Sequence, residues 1–570
     1  MLACCDASPA RDLHGAPRLR SSPGADMILR HGAIYTMDGA RSWAESVAIS
    51  GGKIVAVGPD SDILKWRGRS TKVLDLGGKM VLPGFHDSHV HLAEGGVELG
   101  QCSLDKATDK EEILRLVAEY AAKNPKKEWI LGGGWSLTAF PQANPLKDDL
   151  DKIVPDRPVF LYSQDGHSAW ANSPALKLMG IDERTKDPPR GRIERYADSK
   201  KPSGTLREFA VDLVQKKVPQ PSRQEYLDGV RRAMRLANSY GITTVHEANT
   251  TEDMLESYRE LDRSGEVTLN VVAALKTDPS RGAEQVKELM ALRNRYSGGH
   301  IRATAAKIFS DGVIEAHTAA LLEPYTDKPG EKGILNLEPN NFSALVAELD
   351  RCKFQVHIHA IGDRGVRAGL NALEFAQKQN GLRDSRHQMA HLELIHPSDL
   401  PRFAKLGVVA NYEPFWAYRD SYIKDLTEPL IGPERSSRLY QIHSMLKTGA
   451  VVSAGSDWTV STLNPLEAIQ VAVTRCGLNE TSGEPLIREE QVDLAQILAA
   501  YTINGAYVNG QDKRTGSIEV GKAADLIVVD RNLFSIAPRE IHKARVLFTL
   551  FNGREVFRDR AFPLSIAARD

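Results

Sequence analysis

Two histidines one residue apart, His89 and His91, follow the apolar run Met80-Val81-Leu82 in the stretch Pro83-Gly84-Phe85-His86-Asp87-Ser88-His89-Val90-His91. On an extended strand residues i and i+2 point to the same side. Two imidazoles at this spacing can therefore aim at one point and share a metal ion. A bare His-x-His is short enough to be mere strand-end capping, so it counts only with partners. Partners recur at the ends of other apolar runs. Ala305-Ala306-Lys307-Ile308-Phe309 carries a lysine, Val356-His357-Ile358-His359 ends in a histidine, Gln388-Met389-Ala390-His391 ends in another, and the run at 451–454 leads into Gly455-Ser456-Asp457. Singly, each has an ordinary explanation: a satisfied core histidine, a lysine reaching the rim, a helix cap. Together, imidazoles and a carboxylate from several strand ends are the ligand types of catalytic zinc, which keeps one position for water.

These residues meet only if the runs lie side by side. Apolar strand candidates occur at 80–85, 242–246, 269–275, 303–309, 354–359, 388–394, 408–412 and 451–454, with amphipathic helical stretches between them at 252–263, 281–293, 341–353 and 365–379. Strands alternating with helices mark βα units. Eight of them predict an α/β fold, a (β/α)8 TIM barrel, whose active sites lie at the C-terminal strand ends. One connection is too long for a single βα unit. Residues from about 95 to 240 read as a subdomain inserted after the first barrel strand, with strand-like runs at 128–132 and 158–162, a helix at 110–123 and a Lys/Pro/Arg-rich loop at 182–201. Residues 27–79 have a β pattern with a hairpin signal at Ser50-Gly51-Gly52. So small a sheet cannot bury a core alone, and strands at 524–529 and 546–551 offer a partner. The expected domains are a small β-sandwich from 27–79 and 514–560 and a barrel from 80–513. Residues 1–26, without periodicity, read as a disordered leader.

Composition narrows the function classes. The 570 residues are 42% hydrophobic and 26% charged, an ordinary globular balance. With 73 Lys+Arg against 74 Asp+Glu, no bulk basicity points to nucleic acid or a membrane surface. No apolar run approaches the roughly 18 residues of a membrane helix. Five scattered cysteines suggest neither a disulfide framework nor a CxxC metal site. Leu2-Ala3-Cys4-Cys5 lacks the apolar segment of an export signal before it. A cytoplasmic protein is expected, the alternative being an exported one with a truncated lipoprotein-type signal at residues 1–5.

The stretches LPGFHDSHVHL, DGHSAWANSPAL, PSGTL, GITTVHEA, KIFSDG, HIHAIGDRG, RHQMAHLELI, GSDW and GSIEVGKAADLIVVD resemble the amidohydrolase superfamily, in its amidohydrolase-3, YtcJ-like branch that includes N-substituted formamide deformylases. The resemblance spans about residues 27–557. It implies one or two divalent ions, most often zinc. His89 and His91 would hold the deeper ion, which Asp457 also touches. His359 and His391 would hold the second, and Lys307, carboxylated by CO2, would bridge the two. His359 is preferred to His357 because it directly precedes Ala-Ile-Gly-Asp. The chemistry agrees: an ammonium would repel the cations, a carbamate offers oxygens, and Asp457 can take a proton from water and return it to a leaving nitrogen. Asn411-Tyr412-Glu413-Pro414 stands where relatives often have Gln-Pro, which makes the pocket wall more acidic. His167, in the insertion, has a family counterpart that faces the site. Trp135, Phe415 and Trp458 are candidate walls for an apolar or aryl group.

The expected function is a metal-dependent hydrolase cleaving a C–N bond of an N-substituted amide, formamide or carbamate. A deaminase or cyclic-amide hydrolase of the same superfamily is the alternative, and Lys307 argues against its mononuclear form. A non-catalytic assembly protein is a third reading, disfavoured by the presence of all six ligand candidates. The expected partner is a small amide-type substrate, not nucleic acid; formation of a homo-oligomer is left open.

Overall fold

The computed structural model describes residues 24–104, 107–189, 191–215, 217–480 and 483–562. Of the expected leader, residues 1–23 lie outside the described residues. Eight parallel strands form the central sheet: β1 (Phe85–Val90), β2 (Ile242–Thr250), β3 (Asn270–Lys276), β4 (Ile301–Phe309), β5 (Gln355–Ala360), β6 (Gln388–His391), β7 (Val409–Tyr412) and β8 (Val452–Ala454). Each pairs with the next in chain order. Their near-continuous apolar runs fit a parallel sheet covered by helices. Beyond the last strand, Asp457 N donates to His89 O at 2.8 Å and Ser456 N to Asp87 Oδ1 at 3.0 Å, which draws β8 against β1 and nearly closes the barrel. Gly455 allows this, because a Cβ there would press into the His89 backbone.

The covering helices match their sequence patterns. Glu252–Arg263 forms as expected, and the other three expected helices appear as Val286–Tyr296, Pro339–Arg351 and Asp363–Asn380. Arg223–Ser239 starts on a capping box made by Ser222 and Glu225, and turns Tyr226, Leu227, Val230, Ala233, Met234 and Ala237 into the core. Among the described residues, no helix is long and apolar enough to cross a membrane.

The first barrel strand is one element later than the apolar run suggested. Met80–Pro83 belongs to another sheet, antiparallel to Leu526–Val529 and parallel to Ala33–Tyr35. The barrel strand begins at Phe85, whose N–H donates to Gly241 O at 2.9 Å. Gly84 makes the handover: a Cβ there would overlap the Thr243 side chain. The six-stranded sheet that Met80–Pro83 joins runs from Arg554–Arg558 through Val546–Phe551, Leu526–Val529, Met80–Pro83 and Ala33–Tyr35 to Trp43–Ala44. A four-stranded sheet lies beside it, in the order Lys53–Gly58, Ser46–Ser50, Met27–Arg30, Lys72–Asp75. Leu29, Val47, Ile49 and Leu74 share one buried cluster with Leu526, Val528, Leu547 and Leu550 from the other end of the chain.

The inserted segment carries its own six-stranded sheet: Gly191–Arg195, Pro202–Glu208, Ser168–Ala171, Val159–Ser163, Ile130–Trp135 and Cys102–Ser103. Its helix, Lys110–Lys123, is N-capped by Asp109, which accepts from Glu112 N. The stretch expected as a loop at 182–201 contains the strand Gly191–Arg195, antiparallel to Pro202–Glu208. Only Ile193 of that strand is buried, so alternating apolar character was absent.

Candidate metal centre

The barrel strands deliver their ends to one place. His89 lies on β1 and is fully buried; His91 follows the strand and starts the next helix, with φ −107° and ψ 60°. The chain bends between them, and both Nε2 atoms approach the same oxygen, Asp457 Oδ1, at 3.4 Å and 3.2 Å. Asp457 comes from the segment after β8 and holds a left-handed φ of 49°. His391, the last residue of β6, has φ 77°, and Leu392 after it 53°. Such backbone in non-glycine residues costs on the order of 1–3 kcal/mol each, and is held by its surroundings. His89, His391 and Asp457 each offer a ligand atom, all within 4.8 Å of one another.

Lys307 is 1% exposed on β4, with Nζ 3.1 Å from His89 Nε2 and 4.8 Å from the centre of the Phe309 ring. Burial pulls its amine down to about 8, against the opposing charges of Asp457 and Glu413. The ring of His359, on β5, is 4.5 Å from that of His391, which lies 4.7 Å from that of His89. The ring of His391 also stacks on Trp416, at 5.5 Å and 5°. All the ligand candidates named from the sequence are therefore gathered at the same barrel mouth.

Burial drives His89 and His359 towards the neutral form, and the neighbouring positive groups add to it. Burial acts the same way on His91, but Asp457 and Glu94 outweigh it and raise that imidazole to about 10. Burial raises the Asp457 carboxyl, yet its bond to His91 and the charges of His391 and Lys307 hold it below the usual range. Asp457 is thus an ionised carboxylate beside a charged His91, while burial keeps His89 and His359 neutral. Glu413 Oε1 is buried without a hydrogen-bond partner, and Asp457 Oδ1 has the two imidazoles beside it at 3.2 and 3.4 Å. Imidazole nitrogens and carboxylate oxygens in that state fit a divalent ion of the zinc type.

A model of the amidohydrolase family matches residues 72–557. The chain belongs to the amidohydrolase family. Protein LONG AFTER FAR-RED 3 of Arabidopsis thaliana is 31% identical to it over 544 residues, 94% of this chain and 92% of the relative. An N-substituted formamide deformylase of Arthrobacter pascens is 28% identical over 545 residues, 93% of this chain and 97% of the relative. The crystal structure of an uncharacterized metal-dependent hydrolase from Pyrococcus horikoshii has the same fold, with a TM-score of 0.71 at 25% identity, over 90% of this chain and 99% of that one. The chain is accordingly a metal-dependent hydrolase of carbon–nitrogen bonds.

In this amidohydrolase the insertion reaches the histidines through His167. Its ring lies 5.3 Å from that of His359, and its Nδ1 is 3.1 and 3.0 Å from the two Glu208 oxygens. Burial disfavours charge on His167, but Glu208 prevails and raises it to about 9. Thr318, on the segment after β4, donates to Glu208 at 2.6 Å and ties the insertion to the barrel. Trp458 is 9% exposed beside Asp457, and its carbonyl accepts from His91 N at 3.0 Å. Phe415 is half-buried, edge-on to Tyr418 at 5.8 Å. Trp135 sits elsewhere: fully buried in the core of the inserted sheet, it donates to Leu161 O at 2.9 Å and meets Phe140 and Trp170.

Two residues of the centre carry more than the sequence reading gave them. Glu413, read as pocket wall, is fully buried within the cluster, with Oε2 3.1 Å from His391 Nδ1. Its strand-end position after β7 was the available signal. His357, passed over in favour of His359, is fully buried with Nε2 3.0 Å from His89 Nδ1.

Proposed function

We propose that this amidohydrolase hydrolyses the C–N bond of an N-substituted amide, formamide or carbamate. The observation that carries the reading is the convergence of His89, His91 and Asp457 on one point, with His391 and His359 beside them. His89, His91 and Asp457 would hold one zinc ion and His359 and His391 a second. Lys307, as a carbamate formed when its neutral amine adds to CO2 and loses one proton, would supply anionic oxygens to both. A divalent ion held there supplies the charge that polarises a carbonyl and makes water acidic near neutral pH. Asp457 would accept a proton from water and return it to the leaving nitrogen, which would otherwise depart as an unstable anion. His167, fixed by Glu208, and Trp458 face the substrate, whereas Trp135 acts through packing of the insertion. The formamide deformylase relative favours a small acyl group.

The test is metal analysis followed by a panel of N-formyl, N-acyl and carbamate substrates sharing one amine. Turnover of at least one class by the zinc-replete protein, abolished by chelation, is expected. A metal-replete protein that hydrolyses none of them but releases ammonia from amino-heterocycles would replace this reading with a deaminase.

A further inference from the structure

The two nitrogens of His89 face opposite ways. Nε2 looks to the mouth, 3.4 Å from Asp457 Oδ1 and 3.1 Å from Lys307 Nζ. Nδ1 looks into the barrel, 3.0 Å from His357 Nε2, with the two rings crossed at 85° and their centres 4.6 Å apart. Both residues are fully buried. A neutral imidazole has one N–H and one acceptor nitrogen. A protonated lysine amine or a metal cation at Nε2 requires an acceptor there, which places the proton of His89 on Nδ1. The nearest acceptor is His357 Nε2; Glu413 Oε1, at 3.8 Å, is beyond hydrogen-bond reach. His357 then carries its own proton on Nδ1. It is braced from below by the His246 ring at 4.8 Å, and His246 is itself held by Asn509 Oδ1 at 2.9 Å.

We propose that His357 is a positioning residue: it accepts the Nδ1 proton of His89 and so holds the other nitrogen towards the metal. Resting on the metal reading above, this gives the two histidines of His357-Ile358-His359 different work. His359 stands at the centre with His391, and His357 stands behind a ligand. Metal-binding histidines commonly donate their second N–H to a carboxylate, carbonyl or water, and loss of that acceptor typically weakens metal affinity about 10–100-fold. Here a second neutral histidine takes the acceptor's place.

The experiment compares zinc affinity, by chelator competition, in the wild-type protein and in His357→Phe, His357→Gln and Asp457→Ala. His357→Phe fills the space without an acceptor and is expected to weaken zinc about 10–100-fold. His357→Gln offers an amide oxygen and is expected to keep most of the affinity, a rescue that packing alone would not give. If zinc binds the wild type and Asp457→Ala equally, the metal reading itself fails. If Asp457→Ala loses zinc while His357→Phe matches the wild type, that reading stands and this inference is overturned. Loss of zinc in both His357 variants to the level of His89→Ala would make His357 a ligand and also overturn it. Should His357→Phe not fold, imidazole 15N shifts of the metal-free wild type decide, with His89 assigned by difference from His89→Gln. A proton on His89 Nδ1 supports the inference, and one on Nε2 refutes it.

Discussion

The chain contains two His-x-His pairs on neighbouring levels of one barrel, and they do not do the same thing. His89 and His91 converge on Asp457 Oδ1. His357 and His359 both lie on β5, paired with Lys307 and Phe309 of β4 respectively. Residues two apart on a strand share a side but stand about 6.5–7 Å apart along it. On β5 that separation is kept, so His357 reaches the back of His89 while His359 reaches His391. On β1 it is cancelled, because the strand ends at Val90 and the backbone turns at His91. Spacing alone therefore makes two histidines neighbours; a bend after the first brings them to one point.

Breaking the converging pair has the largest expected effect. The double variant His89→Ala/His91→Ala should lose at least one metal site and nearly all turnover, read by elemental analysis and initial rates. Asp457→Asn keeps the shape but not the base, and should lower kcat by about 100–10,000-fold. Retained activity in either variant would mean that the convergence is not the catalytic feature. Lys307→Ala comes next. It should lose metal and most activity, with partial recovery on adding short-chain carboxylates, whose oxygens replace those of a carbamate. Lys307→Arg should not recover, since a guanidinium stays charged at any working pH. Full metal content and activity in Lys307→Ala would remove the bridging role. His359→Ala sharpens the contrast within β5: it should lower the number of zinc ions bound, whereas His357→Gln should leave that number unchanged, both by elemental analysis.

Much of this arrangement was legible before any coordinates, and the losses have particular causes. The eight strands could be counted because parallel strands are buried on both faces and read as apolar runs. Lys110–Lys123 was expected as a helix and forms one, capped by Asp109. Met80–Pro83 and Phe85–Val90 merged into one expected strand, since an apolar run does not say which sheet it enters, and Gly84 alone marks the change. Gly191–Arg195 went unseen because its pairing is with backbone while its side chains stay largely polar. Glu413 and His357 were visible as residues but not as neighbours of His391 and His89. Which side of a strand faces the centre depends on the register between strands, and that is a property of pairs. Trp135 shows the same limit: an aromatic residue in sequence carries no direction, and this one points into the inserted sheet.

The smallest expected effect concerns histidines deeper in the barrel, which share the neutrality of His357 but take no part in the centre. His86 is fully buried with neither ring nitrogen hydrogen-bonded, and burial lowers its pKa to about 3. In the unfolded chain it titrates near 6.5. Between those values the unfolded state binds one proton more than the folded state, so stability must fall as pH falls from about 6.5 towards 3. The slope from one such ring approaches about 1.4 kcal/mol per pH unit once the pH is well below 6.5. His91 has the opposite sign: raised to about 10 in the metal-free protein, its contribution is fully present below 6.5 and is lost as pH rises through 10. Urea midpoints of the chelated protein at pH 7.5, 6.5 and 5.5 separate the two. The wild type should weaken on the acid side, and His86→Leu should weaken less steeply there, by about 1 kcal/mol over the last pH unit. Equal acid slopes in the two proteins would mean that His86 is solvated or paired when folded, and that burial does not hold the lower barrel histidines neutral.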